Sequence, residues 1–135
     1  MTGEHKIKVL MVDDEKFLLS IYKIHFEKEG YEVSTYHDVD NALSALREGL
    51  EPDVILFDIT MPDSRSGYEF IESVKHEALA RHSLKIALTN EGQEGAMARM
   101  RELGTNGNIL KASFLPSEIV TKVAEMLKEK KKTWQ

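Results

Sequence analysis

The most constraining feature of this sequence is a fivefold alternation of short apolar runs with longer amphipathic segments. The apolar runs are rich in large or β-branched side chains and predict buried strands at 7–12, 31–36, 53–57, 84–88 and 107–110. The segments that follow them predict helices at 15–29, 39–49, 68–80, 93–103 and from Pro116 onward. Strict alternation of strands and helices predicts an α/β protein with a five-stranded parallel sheet.

Two of the predicted helices carry an apolar stripe at i, i+4, i+7, which we expect to face the core. In the first helix the stripe consists of Phe17, Ile21 and Ile24. In the last helix it consists of Ile119, Val123 and Met126.

The length of 135 residues suits one domain, 1–135, with a core of about 6–127 and a basic tail at 128–135. Five units are too few for a closed eight-unit barrel, so we expect an open, doubly wound sheet. In such a sheet the ligand site lies beyond the carboxyl ends of the strands.

Composition narrows the class of protein further. The absence of Cys excludes disulfides and thiolate metal sites. A net charge of −5 argues against direct nucleic-acid binding. The apolar runs are too short to span a membrane, and the N-terminus lacks the apolar centre of a signal peptide. We therefore expect a cytoplasmic domain without membrane contact.

Charged and hydroxyl side chains collect where the predicted strands end. Asp13 and Asp14 follow the first strand, Asp58 the third, Thr89 the fourth and Lys111 the fifth. Three neighbouring carboxylates repel one another, and a divalent cation removes that penalty. All-oxygen ligation by few carboxylates is typical of Mg²⁺.

These residue types indicate transfer of a phosphoryl group to a carboxylate. A carboxylate can attack phosphorus in line and form an acyl phosphate. Lys111 would offset charge on the phosphoryl oxygens, and Thr89 could donate a hydrogen bond to one of them.

The chain resembles the receiver domains of two-component response regulators, over roughly residues 6–127. The resemblance is carried by the segments 12–15 and 55–62, by Gly67, by Leu88-Thr89 and by the segment 104–111. It implies a chemotaxis-regulator-like, flavodoxin-like (βα)5 three-layer sandwich. It also implies a regulatory phosphoacceptor that assists only its own phosphorylation and dephosphorylation, rather than an enzyme.

The resemblance implies a role for each residue. Asp58 matches the phosphoacceptor, Thr89 the switch hydroxyl and Lys111 the phosphate-pairing lysine. Asp13 and Asp14 match the acidic pair that holds Mg²⁺, with Asp14 the direct ligand. Further metal ligands would be Asp58 and the backbone carbonyl of Thr60.

The implied phosphodonor is a sensor histidine kinase or a histidine phosphotransfer protein. Phosphorylation would change the surface around the fourth helix, fifth strand and fifth helix, which an output protein or an effector domain in a longer chain would read. A homodimer could also form on phosphorylation. The alternatives are an interaction module independent of phosphorylation and an Asp-nucleophile phosphatase of the haloacid dehalogenase type. The phosphatase needs a second Asp where Thr60 stands.

Several positions depart from the family pattern. Asn108 stands where an aromatic ring is usual, and Asn90 where Ala or Gly is common. Ala112 replaces the Pro after the lysine, so we predict a trans Lys111–Ala112 bond. Four residues, not three, separate Pro62 from Gly67. Thr60 and Glu91 occupy positions that tune autodephosphorylation in the family.

Three of these residues also have simple structural interpretations. Asp13 could cap the following helix, and Thr89 could cap the turn after its strand. Lys111 could neutralise the acids in a structural salt bridge.

Overall fold

The fold is a five-stranded parallel sheet in a strict alternation of strands and helices, as predicted. The computed structural model describes residues 6–62, 64–90 and 94–134. The strands are β1 (Lys8–Val12), β2 (Glu32–Tyr36), β3 (Val54–Phe57), β4 (Leu84–Thr89) and β5 (Gly107–Leu110). The helices are α1 (Lys16–Lys28), α2 (Val39–Arg47), α3 (Gly67–His76), α4 (Glu94–Glu102) and α5 (Pro116–Trp134). None of these helices is long and apolar enough to cross a membrane.

The strand order is β2-β1-β3-β4-β5, and every neighbouring pair is parallel. The chain starts at β1, moves to one side for β2, then crosses β1 to build the other three strands. The direction of winding therefore reverses between β1 and β3. A crevice opens beyond the carboxyl ends of strands at such a point.

The sheet is covered on both faces, which makes three layers. Val9 and Met11 of β1 lie in one apolar cluster with residues of α1 and α5. Leu10 and Val12 lie in a second cluster with residues of α2 and α3. Successive strand residues point to opposite faces, so a continuous apolar run can be buried on both sides.

The buried face of α1 differs from the predicted one. Phe17 and Ile24 are 69% and 63% exposed, and Ile21 is half-buried. The buried residues of this helix are Leu19, Tyr22 and Phe26. At 100° per residue, the mean directions of the two apolar stripes differ by roughly 170° around the helix. The stripe with Tyr22 and Phe26 packs on the sheet, so the predicted stripe faces outward.

Helix α3 is shorter than predicted. It ends at His76 instead of continuing to residue 80. Ala78 and Ala80 adopt positive φ values of 55° and 47°, which are incompatible with a right-handed helix. The strong helix propensity of Ala is overridden here because the chain must turn back into β4.

The last helix agrees with its predicted stripe. Ile119 and Val123 are fully buried, and Met126 packs against the same cluster. The helix continues to Trp134, so most of the basic segment 128–135 is helical.

Candidate functional site

The carboxyl ends of β1, β3, β4 and β5 bring the predicted polar residues to one edge of the sheet. The backbone N–H of Asp58 donates to the carbonyl of Val12 (3.0 Å), and that of Asp13 donates to Tyr36 (3.1 Å). These bonds extend the strand pairing by one residue. They place both carboxylates at the point where the sheet order reverses.

Lys111 joins the two sides of this edge. Its Nζ lies 2.5 Å from Oδ2 of Asp13 and 3.0 Å from Oδ2 of Asp58. All three residues are buried. Burial alone would lower the pKa of Lys111, but the hydrogen bonds and charges of Asp13 and Asp58 outweigh it and raise that pKa. The ammonium is therefore charged throughout the physiological range.

Asp58 is set apart by its environment. Burial raises the pKa of its carboxyl, and the hydrogen bond from Lys111 only partly offsets this. Its Oδ1 accepts a hydrogen bond from the backbone N–H of Thr60 (3.2 Å). The carboxylate of Asp58 is therefore desolvated and is fixed in position by one cation and one amide. Both properties suit a carboxylate that acts as a nucleophile.

Three carboxylates could hold a metal ion at this edge. Asp13, Asp14 and Asp58 each offer an oxygen, and these three oxygens lie within 4.8 Å of one another. Asp14 is half-buried, whereas Asp13 and Asp58 are buried. The donor set consists of hard oxygens and fits Mg²⁺. The Oδ1 of Asp13 also accepts from the N–H of Glu15 (3.0 Å), which forms a local turn before α1. Glu15 is the N-cap residue of that helix and no side chain caps it, so Asp13 does not act as the helix cap.

The carboxylates of Asp14 and Asp58 open into a cavity of about 410 Å³. Its lining residues are Asp14, Glu15, Asp58, Thr60, Pro62, Thr89, Asn90 and Lys111. Thr89 is only 1% exposed, although it reaches this cavity at the end of β4. The site thus combines acids, a hydroxyl and an ammonium around one space.

Glu15 was not predicted as part of the site. Its carboxylate lies 3.5 Å from Nζ of Lys111, although its side chain is 61% exposed. The signal in the sequence was its position directly after the acidic pair. Since it is exposed, it adds a weak, screened attraction compared with the buried acids.

Gly67 fixes the loop that follows the site. Its N–H donates to the carbonyl of Ile59 (2.8 Å), so the start of α3 lies against the residues after β3. A Cβ at this position would lie 2.2 Å from the carbonyl oxygen of Asp58 and 2.7 Å from Cα of Ile59. Only glycine permits this approach, which explains a glycine in the first turn of a helix.

The loop with the additional residue is attached to α2. The Oγ of Ser64 accepts from the N–H of Val39 (2.9 Å), which satisfies a donor in the first turn of that helix. Arg65 pairs with Asp40 of α2 and with Glu69 of α3, both at 3.0 Å. Ser64 and Arg65, the described residues in the middle of this loop, are therefore held against α2 and α3.

Two departures from the family pattern, Asn108 and Ala112, lie near the end of β5. Asn108 is exposed and occupies the position where the family has an aromatic ring. The Lys111–Ala112 bond is trans, as predicted, because the described residues contain no cis peptide bond. A short 3₁₀ turn at Lys111–Ser113 carries the chain to Phe114. Glu91, considered above for its effect on dephosphorylation, lies outside the described residues.

Comparisons with known proteins agree with this arrangement. PhoB, the phosphate regulon transcriptional regulatory protein of Klebsiella pneumoniae, is 31% identical over 121 residues, which are 90% of this chain and 52% of that protein. The response regulator SaeR of Staphylococcus aureus is 32% identical over 124 residues, 92% of this chain and 52% of that protein. The chain thus spans about half the length of these curated relatives.

The fold comparison gives the same result. A CheY-like response regulator receiver domain protein from Methanospirillum hungatei JF-1 has a TM-score of 0.83 and 28% identity, with 96% of this chain and 99% of that chain covered. Residues 9–124 match the family described as the response regulator receiver domain. With its sheet order, its acidic edge and this match over most of its length, the chain belongs to the response regulator receiver domain family.

Proposed function

We propose that Asp58 is the phosphoacceptor of a Mg²⁺-dependent switch within a two-component phosphorelay. The observation that carries the proposal is the position of Asp58, a buried carboxylate held by Lys111 and the Thr60 amide at the base of an open cavity. Burying a carboxylate at the end of an apolar strand costs free energy, and folding alone does not require an acid at this position.

The carboxylates of Asp13, Asp14 and Asp58, with the backbone carbonyl of Thr60, would hold Mg²⁺. Three acids within 4.8 Å repel one another, and Lys111 supplies only one positive charge against them. Bound Mg²⁺ would neutralise the remaining charge and hold the oxygens of an incoming phosphoryl group. Asp14, half-buried and facing the cavity, is the direct ligand in this proposal.

In the proposed reaction a carboxylate oxygen of Asp58 forms a bond to phosphorus. The bond from phosphorus to a histidine nitrogen of the donor breaks, and its electron pair leaves with that nitrogen. The product is an acyl phosphate on Asp58. Lys111 then pairs with a phosphoryl oxygen, and the Thr89 hydroxyl donates to another.

The proposal is tested by intact-mass analysis after incubation with acetyl phosphate and Mg²⁺. We expect one added phosphoryl group, which disappears when Mg²⁺ is chelated and in the Asp58→Asn variant. Glu27→Gln, an exposed change on α1, is the matched control and should be labelled like wild type. Unchanged labelling of Asp58→Asn would contradict the assignment.

The phosphodonor would dock on the exposed apolar stripe of α1. Phe17 is 69% and Ile24 63% exposed, and Leu115, which precedes α5 on the same layer, is 66% exposed. Phe17 is three residues beyond Asp14, so the stripe begins beside the cavity. Phe17 and Ile24 lie on one face of α1 at i, i+7, and exposed large apolar side chains on one helix face favour a protein partner.

The docking surface can be separated from the chemistry. In Phe17→Ser/Ile24→Ser, we expect slower phosphotransfer from a histidine kinase that labels the wild-type chain. Labelling by acetyl phosphate should stay unchanged, because that donor needs no docking. Equal rates from the kinase in the variant and in wild type would exclude this surface.

A further inference from the structure

A second cavity lies at the opposite edge of the sheet from Asp58. Its volume is about 260 Å³. It is lined by the second half of α3, the turn that follows, the start of β4 and the segment after α4: Ile71, Val74, Lys75, Ala78, Leu79, Arg81, Lys85, Leu103 and Gly104. Since α3 runs back from the site, this cavity belongs to the amino ends of the strands.

The cavity has an apolar floor and a cationic rim. Ile71 and Val74 are fully buried, and Leu79 and Leu103 are half-buried. Lys75, Arg81 and Lys85 surround them, and none of the described lining residues is Asp or Glu. Three cations without an acid are unexpected in a chain with a net charge of −5.

Among the residues that the structure describes, no carboxylate pairs with a cation of the rim. Lys85 donates to the carbonyl of Ser83 (3.2 Å), and Lys75 donates to the carbonyl of Glu102 (2.8 Å). The guanidinium of Arg81 makes no hydrogen bond or ion pair within the described part of the chain. Burial and the nearby charge of Lys130 lower the pKa of Lys85, so an anion here would relieve both desolvation and repulsion.

We propose that this cavity binds a small organic anion with a compact apolar body. The body would lie on the accessible apolar side chains Ala78, Leu79 and Leu103, and the carboxylate would pair with Arg81 and Lys85. A guanidinium can accept a carboxylate through two parallel hydrogen bonds. The volume lies just below the range of about 300–1,000 Å³ typical of ligand pockets, which favours a ligand smaller than a drug molecule.

Such a ligand would act on the fold away from the phosphorylation chemistry. It would contact both α3 and the residues after α4, which Lys75 already joins through Glu102. It would not compete with a phosphoryl group, because the two cavities share no lining residue.

The test is an NMR titration of the ¹⁵N-labelled chain with phenylacetate, and with phenylacetamide as its uncharged control. We expect saturable shifts at the backbone amides of Ile71, Leu79 and Leu103 with phenylacetate alone. Arg81→Gln/Lys85→Gln should weaken binding about tenfold or more. Arg101→Gln, an exposed cation outside the cavity, is the matched control and should bind like wild type.

A variant that fills the cavity provides a second test. Leu79→Trp keeps every cation of the rim, so loss of binding there would show that the apolar floor is needed. The proposal is overturned if phenylacetate gives no saturable shifts at millimolar concentration. It is equally overturned if phenylacetamide binds as tightly as phenylacetate. Wild-type affinity for phenylacetate in Arg81→Gln/Lys85→Gln or in Leu79→Trp would also overturn it.

Discussion

Replacing Gly67 by Ala should destabilise the fold at the site itself. The added Cβ would lie 2.2 Å from the carbonyl oxygen of Asp58, whereas an ordinary contact needs about 3.5 Å. The two atoms nearest to this Cβ, the carbonyl oxygen of Asp58 and Cα of Ile59, both belong to the backbone. No side-chain rotation can therefore relieve the overlap. The start of α3 and the end of β3 must therefore separate by roughly 1 Å.

The magnitude follows from two contributions. Overpacking of this kind costs about 1–3 kcal/mol. Separation of the backbones also breaks the 2.8 Å hydrogen bond from Gly67 to Ile59, at about 1–3 kcal/mol for a buried group left unpaired. Ala recovers up to ~1 kcal/mol of helix propensity. Together these contributions give a net loss of roughly 1–6 kcal/mol, and a fall in Tm of roughly 3–25 °C.

Urea unfolding monitored by circular dichroism measures this loss, and Gly95→Ala in α4 is the control. No atom lies within 4 Å of a Cβ built at Gly95, so that change should be neutral or stabilise by up to ~1 kcal/mol. Gly67→Ala should also label more slowly with acetyl phosphate, because Asp58 moves. A Gly67→Ala variant within ~1 kcal/mol of wild type would refute the reasoning.

Three further predictions follow from the same contacts. Because burial raises the pKa of Asp58, its ionisation disfavours the folded state as pH rises above the ordinary carboxyl range. Asp58→Asn should thus raise Tm at pH 7 but not in strong acid, and an equal Tm difference at every pH would contradict this. Lys111→Met leaves two buried acids without their cation and should cost about 3–5 kcal/mol in urea unfolding. Saturating Mg²⁺ should recover part of that loss, and full stability without the metal would argue against the ion pairs. Ser64→Ala removes the acceptor for the Val39 N–H and should cost about 1 kcal/mol; unchanged unfolding in urea would show that the loop does not cap α2.

The sequence was sufficient to predict the sheet and its helices because apolar periodicity reports burial directly. It was insufficient for α1, where two stripes share one helix and only the sheet decides which is buried. It was also insufficient for the end of α3. Ala78 and Ala80 favour helix locally, but the return to β4 requires positive φ at both.

The candidate site was predictable to the extent that parallel strands end at one edge. That rule placed Asp13, Asp58 and Lys111 together, and the structure gives contacts of 2.5 and 3.0 Å between the lysine and these acids. The rule says nothing about an exposed residue just before the adjoining helix, so Glu15 was missed. Nor does it foresee the attachment of Ser64 to α2, since that contact depends on the path of an irregular loop.

The central claim is that phosphoryl transfer ends on Asp58 and on no other acid at this edge. The most direct measurement is peptide mapping after labelling with acetyl phosphate and Mg²⁺ and reduction by sodium borohydride, which converts an aspartyl phosphate to homoserine. The account predicts homoserine at position 58 alone. Homoserine at position 13 or 14, or none in a folded chain that does label, would contradict it.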